Sequence, residues 1–240
     1  MLTFRVVGPG RAGQSLQLAL EHAGWRGLAP LGRGDDLIDA AAGADVVLIA
    51  TPDGAIADAA AAIRPVPGVA VVHLAGSLGL DVLAPHDRRA SVHPIVALPD
   101  ADTGAARLRG AWFAVAGDAV AREIVAALDG RSIEVPDDKR ALHHAAAVIA
   151  SNHVVALLGQ VERVAAEAGV PLAAYLDLVR ATLDNVAELG PRNALTGPVA
   201  RGDWATIARH LDALPADERA GYEAMVELAK ALAGERVPWS

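Results

Sequence analysis

A short run of aromatic and β-branched residues, Phe4-Arg5-Val6-Val7, passes directly into Gly8-Pro9-Gly10-Arg11-Ala12-Gly13 and then into an Ala/Leu/Gln-rich segment. No other feature restricts the fold of this chain as much. Glycines at this spacing between a strand and a helix suit one geometry. Gly8 allows the tight turn, Gly10 lets backbone approach a pyrophosphate, and Gly13 lets helix and strand pack closely. The helix N-terminus then aims N–H donors at the anion. Gly8, Pro9, Gly10, Arg11, Ala12 and Gly13 are therefore expected to bind a dinucleotide. A glycine turn without a ligand is the plain alternative. The Gly-x-Gly-x-Gly turn of methyltransferases has another spacing, which disfavours S-adenosylmethionine, while a deazaflavin stays open.

The segments that follow fit such a turn. Val46–Ala50, Val69–Leu74, Trp112–Val115 and Ser132–Val135 are short apolar runs, most of them bounded by Gly, Pro or Asp as buried parallel strands are. Gln14–Ala23, Ala55–Ile63, Thr103–Leu108 and Ala119–Leu128 have helical composition between them. This alternation predicts an α/β fold, a Rossmann doubly wound parallel sheet. After Val135-Pro136-Asp137 the pattern changes to long apolar-periodic stretches: Ala141–Ala168, Leu172–Leu189, Trp204–Ala213 and Ala216–Ala233. We expect a dinucleotide-binding domain over 1–136 and a C-terminal all-helical domain over 137–240, for substrate and dimerisation.

Composition narrows the function classes. The chain is 53% hydrophobic, carries a formal charge of −8 and has no cysteine. Thiolate metal sites and cysteine nucleophiles are excluded, and a phosphate-backbone footprint is missing, so nucleic acid is not an expected partner. The eight histidines show no metal-ligand spacing. The start of the chain lacks the basic-then-apolar pattern of a signal peptide, and Val46–Ala50 is far too short to cross a membrane. A cytoplasmic protein with a small-molecule substrate and no membrane partner is the expectation.

About twenty residues past the glycine turn, an acid binds the ribose of NAD or an arginine meets the 2′-phosphate of NADP. The sequence there is Leu31-Gly32-Arg33-Gly34-Asp35-Asp36. Arg33 at the strand end favours NADP(H), with NAD(H) through Asp35 or Asp36 as the alternative. Thr51 and Pro52 follow the Val46–Ala50 strand at its carboxyl end, where Thr51 backbone could touch the nicotinamide ribose. Gly76-Ser77 occupies the next such loop.

The glycine turn, Ser91-Val92-His93-Pro94, His144-Ala145-Ala146 with Ala150-Ser151-Asn152, and Ala194-Leu195-Thr196-Gly197-Pro198 with Arg201-Gly202-Asp203 occur in this order. Together they resemble the bacterial Rossmann-like and DUF2520 domain-containing proteins over essentially the whole chain. That family is similar in layout to 6-phosphogluconate dehydrogenase, ketopantoate reductase and pyrroline-5-carboxylate reductase, in which a helical domain closes the active site and often dimerises. The resemblance implies an NADP-type oxidoreductase and a homodimer, with ketopantoate as the leading substrate. Related dehydrogenases use a lysine near Lys139-Arg140, where the register is off or Arg140 replaces it.

On a regular helix His144 and Ser151 lie nearly in line, with Asn152 about 80° away. One face then offers an imidazole, a hydroxyl and an amide, and His144, Ser151 and Asn152 are the candidate catalytic residues. A protonated histidine or an asparagine can serve the alkoxide that forms when a carbonyl takes a hydride. The same histidines, with His143 and His153, could instead be structural, and Asn152 could bridge two helices. His93, Thr196 and Arg201 are candidate substrate contacts, His93 facing the nicotinamide crevice or lying in a turn. Asp203 could cap the helix that starts at Trp204, leaving Arg201 exposed. The competing class is a non-catalytic dinucleotide sensor or assembly protein.

Overall fold

The computed structural model describes residues 1–234, so the last six residues of the expected helical domain lie outside it. Two compact units divide the chain, Met1–Ser151 and Asn152–Ser240.

The first unit is built on a seven-stranded sheet. Its strands are β1 (Thr3–Val7), β2 (Arg26–Gly27), β3 (Val46–Ile49), β4 (Ala70–His73), β5 (Arg88–Pro94), β6 (Trp112–Gly117) and β7 (Arg131–Glu134), in spatial order β2-β1-β3-β4-β5-β6-β7. Every residue of β3 and β4 is buried, as continuous apolar runs are when helices cover both faces. On one face Phe4, Val6, Leu48 and Val72 pack with Leu16 and Leu20 of α1 (Arg11–His22), Leu108 of α3 (Ala101–Leu108) and Ile124 of α4 (Val120–Ala127). On the other, Val7, Val47, Ile49 and Val71 meet Ile56, Ala59 and Ala60 of α2 (Ile56–Ala62), with Ala40, Ala41 and Leu83 from the connections. The chain leaves β1 for β2 on one side and returns to β3 on the other, which makes a switch point at the carboxyl ends of β1 and β3.

Two features depart from the expected parallel sheet. Arg88–Pro94 is a central strand, although charged residues open it and a proline closes it. Ala90, Ser91 and Val92 inside it are buried. β6 then pairs antiparallel with β5, Pro94 opposite Phe113, so the sheet is mixed. The connection through α3 returns to the end of β5 that it left, and Ile95 N donates to Trp112 O across the return. A helix lying along α1 replaces a full crossover; Ser15 Oγ donates to Asp100 O there.

No strand follows Glu134 among the described residues. The helical pattern starts at α5 (Arg140–Val148), close to the expected change of character, whereas the compact units divide later, inside a π-helical turn at Ile149–His153. α6 (Val154–Glu167) follows, then α7 (Ala173–Ala194), which breaks at Gly190 (φ 75°) ahead of Pro191. The short α8 (Pro198–Arg201), α9 (Trp204–Ala213) and α10 (Arg219–Gly234) complete the second unit. Arg163 of α6 forms an ion pair with the buried Glu218, and Gln160 donates to the Glu218 carbonyl at 2.8 Å. Asp203 accepts from Thr206 N and so caps α9. The helix running from Asp137 to Glu167 is long and apolar enough to cross a membrane by length and composition, a feature the short Val46–Ala50 run did not signal.

Candidate active site

Gly8 has φ +90°, and a Cβ there would lie 2.8 Å from Thr51 N. The first strand can pass this close to the third only without a side chain. A Cβ on Gly13 would lie 2.4 Å from Gly8 O, which fixes how near α1 sits to its own turn. At Gly10 the situation reverses, because nothing lies within 4 Å of a Cβ position. Gly10 also ends the turn as the N-cap of α1 with no capping side chain, and the first amides of a helix have no intrahelical acceptor. Gly8 and Gly13 thus have the close backbone contacts that a tight turn and helix–strand packing require, and Gly10 has open space beside it.

The turn opens into a cleft of about 630 Å³, lined by Gly8, Pro9, Gly10, Arg33, Thr51 and Pro52 among others. Six of the nine candidate cofactor residues thus share one cavity at the switch point, while Arg11, Ala12 and Gly13 open the helix behind it. Asp35 accepts from Gly32 N at 2.7 Å and Asp36 from Ile38 N at 2.9 Å. Both acids shape the turn, and Arg33 is left exposed on the cleft wall. Thr51 Oγ1 is buried and has no hydrogen-bond partner. A pyrophosphate at Gly10, a 2′-phosphate at Arg33 and a ribose at Thr51 fit this set of donors.

Further along the same carboxyl edge, β4 and β5 end in a second group of polar side chains. Gly76 lies just beyond β4, and a Cβ there would come 2.7 Å from both His144 Nδ1 and His93 Cε1. Only glycine lets the two rings close over this backbone. His93 Nδ1 is 3.1 Å from His143 Nε2, with the rings edge to face. Arg140 is fully buried beneath them; its Nε donates to Asp137 Oδ1 at 3.1 Å and its Nη1 to Ser91 Oγ at 2.9 Å.

The pairing follows from two periodicities. Ser91 and His93 point to one face of a strand, and Arg140, His143 and His144 share one face of a helix. Strand and helix therefore meet in two rungs, Ser91 with Arg140 and His93 with His143. In the sequence His143 reads only as a structural histidine, and the anchoring role of Arg140 goes unread; the Ser-x-His alternation is the signal available for them. Ser77 Oγ donates to Asp53 Oδ2 at 2.9 Å beside this group.

The cluster disfavours imidazolium. Burial, then the charge of Arg140, pushes His73 down to about 4. Burial, then His143, His144 and Arg140, does the same for His93, also to about 4. His143 is lowered as well, by burial first and then by Arg140 and His144. Among the described residues no group of three or more His, Asp or Glu side chains is disposed to hold a metal ion.

The other candidates fall in different surroundings. Ser151 lies in the π turn, where its hydroxyl donates to Ala147 O at 2.7 Å. A π turn also changes the angle per residue, so the in-line placement of His144 and Ser151 expected from a regular helix does not carry through it. Asn152 opens the second unit. Thr196 is exposed on the loop before α8, and Arg201 is the exposed last residue of that helix.

A mainly parallel sheet with a glycine turn at its switch point, followed by a helical unit, places the chain among the Rossmann-like folds. Residues 113–229 match the family model described as "Domain of unknown function (DUF2520)", the family that the sequence motifs resemble. No curated protein matches the sequence. Among solved structures, a Bacteroides fragilis protein provisionally named an NADP oxidoreductase is 22% identical, with a TM-score of 0.76 over 97% of this chain and 96% of that one. Plasmodium falciparum pyrroline carboxylate reductase with NADP bound is 12% identical, with a TM-score of 0.62 over 97% and 98%. A reductive aminase from Aspergillus terreus, in complex with NADPH and ethyl levulinate, is 15% identical, with a TM-score of 0.69 over 98% of each chain. At these identities the likeness establishes the fold.

Proposed function

We propose that the protein is a cytoplasmic NADP(H)-dependent reductase of a small carbonyl compound, a 2-oxo acid, with ketopantoate the first substrate to try. The observation that carries this reading is the switch-point cleft, in which Gly10, Arg33 and Thr51 lie together. The exposed guanidinium of Arg33 on the cleft wall supports NADP(H) over NAD(H). The order of the strands supports the placement of the chemistry. Arg33 follows β2, Gly10 follows β1, Thr51 follows β3, Gly76 follows β4 and His93 ends β5, so a dinucleotide that begins at Arg33 has its far end toward the histidines. Bound NADPH supplies the hydride. His144 and Asn152 are proposed to hold the carbonyl oxygen by hydrogen bonds, with Ser151, whose hydroxyl donates to Ala147 O, as the third catalytic candidate. His93, Thr196 and Arg201 are the proposed substrate contacts. A dinucleotide sensor has no use for two imidazoles packed over a glycine, with a third hydrogen-bonded to one of them, beside this cleft.

The test is a titration with NADPH and NADH. Arg33→Ala should weaken NADPH binding about 30-fold, the value of charge-assisted hydrogen bonds to one phosphate, and leave NADH binding within about 2-fold. Equal effects on both nucleotides would remove Arg33 from recognition of the 2′-phosphate, and binding of neither would overturn the cofactor assignment.

We also infer a homodimer formed through the helical unit. Its described residues bury only Ala165, Ile207 and Val226 among the apolar side chains, which is too small a core for a unit of this size. Val155, Leu178, Leu183 and Leu228 are each more than half exposed. A second copy covering about 800 Å² per partner, the usual extent of a stable interface, would supply what is missing. Sedimentation equilibrium should give a dimer that Leu178→Glu with Leu183→Glu dissociates. A wild-type monomer that floats with lipid vesicles would assign the apolar helix to a membrane instead.

A further inference from the structure

We infer that His93 and His143 form a two-imidazole proton relay, with His93 delivering a proton to the substrate oxygen and His143 resupplying it. The inference rests on the reductase reading and names what that reading leaves open, the source of the proton.

Four observations carry it. The contact between His93 Nδ1 and His143 Nε2, 3.1 Å, is that of a hydrogen bond, so one nitrogen carries a proton and the other a lone pair. Both residues are held from outside the pair: β5 positions His93, while Arg140, hydrogen-bonded to Ser91 Oγ two residues before His93, fixes the start of the helix that carries His143. A Cβ at Gly76 would come 2.7 Å from both His144 Nδ1 and His93 Cε1, so the glycine is what lets His93 lie close over that backbone. The two rings differ in depth, because His93 lies at the end of a central strand and His143 on the outer helix. The inner ring is the one beside the cofactor edge.

The proton count closes. The pair holds one proton beyond neutrality, with His143 Nε2–H donating to His93 Nδ1 and His93 Nε2–H facing the substrate. As the carbonyl carbon takes the hydride, the C=O π pair moves to oxygen, oxygen takes the proton from His93 Nε2, and His143 Nε2–H passes to His93 Nδ1. The pair ends neutral; once product leaves, the proton on His93 Nδ1 returns to His143 Nε2 and water supplies a proton to His93 Nε2, which restores the starting state. A second extra proton is opposed by the like charge of the first.

The groups that face the pair fix how readily it gives up its charge. Arg140 and His144 come from α5, His73 ends β4, Asp53 follows β3, and Asp137 precedes α5 and holds Arg140. Burial first, and then the imidazoles and the guanidinium, outweigh the Asp53 carboxylate at His93, so the charged pair is a stronger acid than free imidazolium. Turnover in the reductive direction should therefore rise as pH falls below about 6.5, the ordinary histidine value.

The experiment combines imidazole nitrogen NMR of the substrate-free protein with the pH profile of 2-oxo acid reduction, ketopantoate first. His143→Gln places an amide N–H near the Nε2 position, so it can still donate to His93 Nδ1 but cannot pass a proton on. It should lower kcat about 100-fold, keep KM and NADPH affinity, and abolish the rise toward low pH. In the wild type His93 and His143 should titrate jointly with uptake of one proton, and in the variant that step should disappear. Independent titration of the two rings, or an unchanged pH profile in His143→Gln, overturns the relay while the reductase stands. Failure of the wild type to bind NADPH overturns the reductase and the relay together.

Discussion

Gly10→Ala should leave the protein folded and remove its affinity for NADPH, whereas Gly13→Ala should lose stability first. The two substitutions add the same methyl group three residues apart, yet they meet opposite surroundings. At Gly10 the backbone is extended (φ −76°, ψ −171°), which alanine accepts without strain, and the added carbon enters open space in the cleft. That space is where a pyrophosphate must approach the helix amides, so the methyl group competes with the ligand and with nothing else. A loss of at least about 30-fold in NADPH affinity is expected, the scale of charge-assisted hydrogen bonds to a phosphate, with the melting temperature unchanged. At Gly13 the Cβ would stand 2.4 Å from Gly8 O and 3.0 Å from Val6 Cγ1. A backbone carbonyl cannot rotate away as a side chain can, so α1 must shift off β1. Overpacking of this kind costs about 1–3 kcal/mol, and loss of binding would follow from the displaced turn. Thermal unfolding and NADPH titration of both variants separate the roles. If Gly10→Ala bound NADPH as the wild type does, the turn would be structural and the cofactor site would lie elsewhere.

The glycine turn was legible because its requirements are local: a strand, a turn and a helix N-terminus are specified by residues adjacent in sequence. Thr51-Pro52 was legible for the same reason, since position at the end of an apolar run is enough to place it on the ligand edge. Asp203 shows the same rule in a cap, where a short acid ahead of Trp204 binds the Thr206 amide. β5 was not legible. Arg88 and Arg89 read as solvent, and Pro94 reads as a break. In the fold, Arg88 finds Asp118 across the antiparallel pair with β6, and Pro94 sits at the strand end. Without β5 as a strand, nothing in the sequence brings His93 to His143, fifty residues away. The π turn was equally hidden, because Ile149–His153 has the composition of the regular helix on either side. Sequence pattern found the helix face that carries His144 and missed the strand that gives that face its partner.

Replacing Arg140 tests how the fold holds this pair, and the outcome should depend on pH. Arg140→Leu keeps much of the buried volume but leaves Asp137 Oδ1 and Ser91 Oγ without their donor. Asp137 is half exposed and still accepts from Leu80 N, so the loss should be below that of a fully buried pair. About 2–3 kcal/mol at pH 8 is expected. The acid side adds a second term of opposite sign. His73 and His93 titrate near 4 in the folded protein, lowered by burial and, among other neighbours, by Arg140. Between pH 6.5 and 4 the unfolded chain therefore binds more protons than the folded one. Their neutral forms make no demand above 6.5, and stability falls by up to about 1.4 kcal/mol per pH unit for each histidine as pH drops through that window. Removing Arg140 takes away one cause of the lowering and leaves burial, the larger one. The folded values rise part of the way toward 6.5, and the acid loss becomes shallower. Urea unfolding of wild type and Arg140→Leu at pH 8 and pH 5 should show a gap that narrows at the lower pH. A gap of the same size at both would mean that the guanidinium acts on the fold through its hydrogen bonds alone, and that its charge does not reach the histidines.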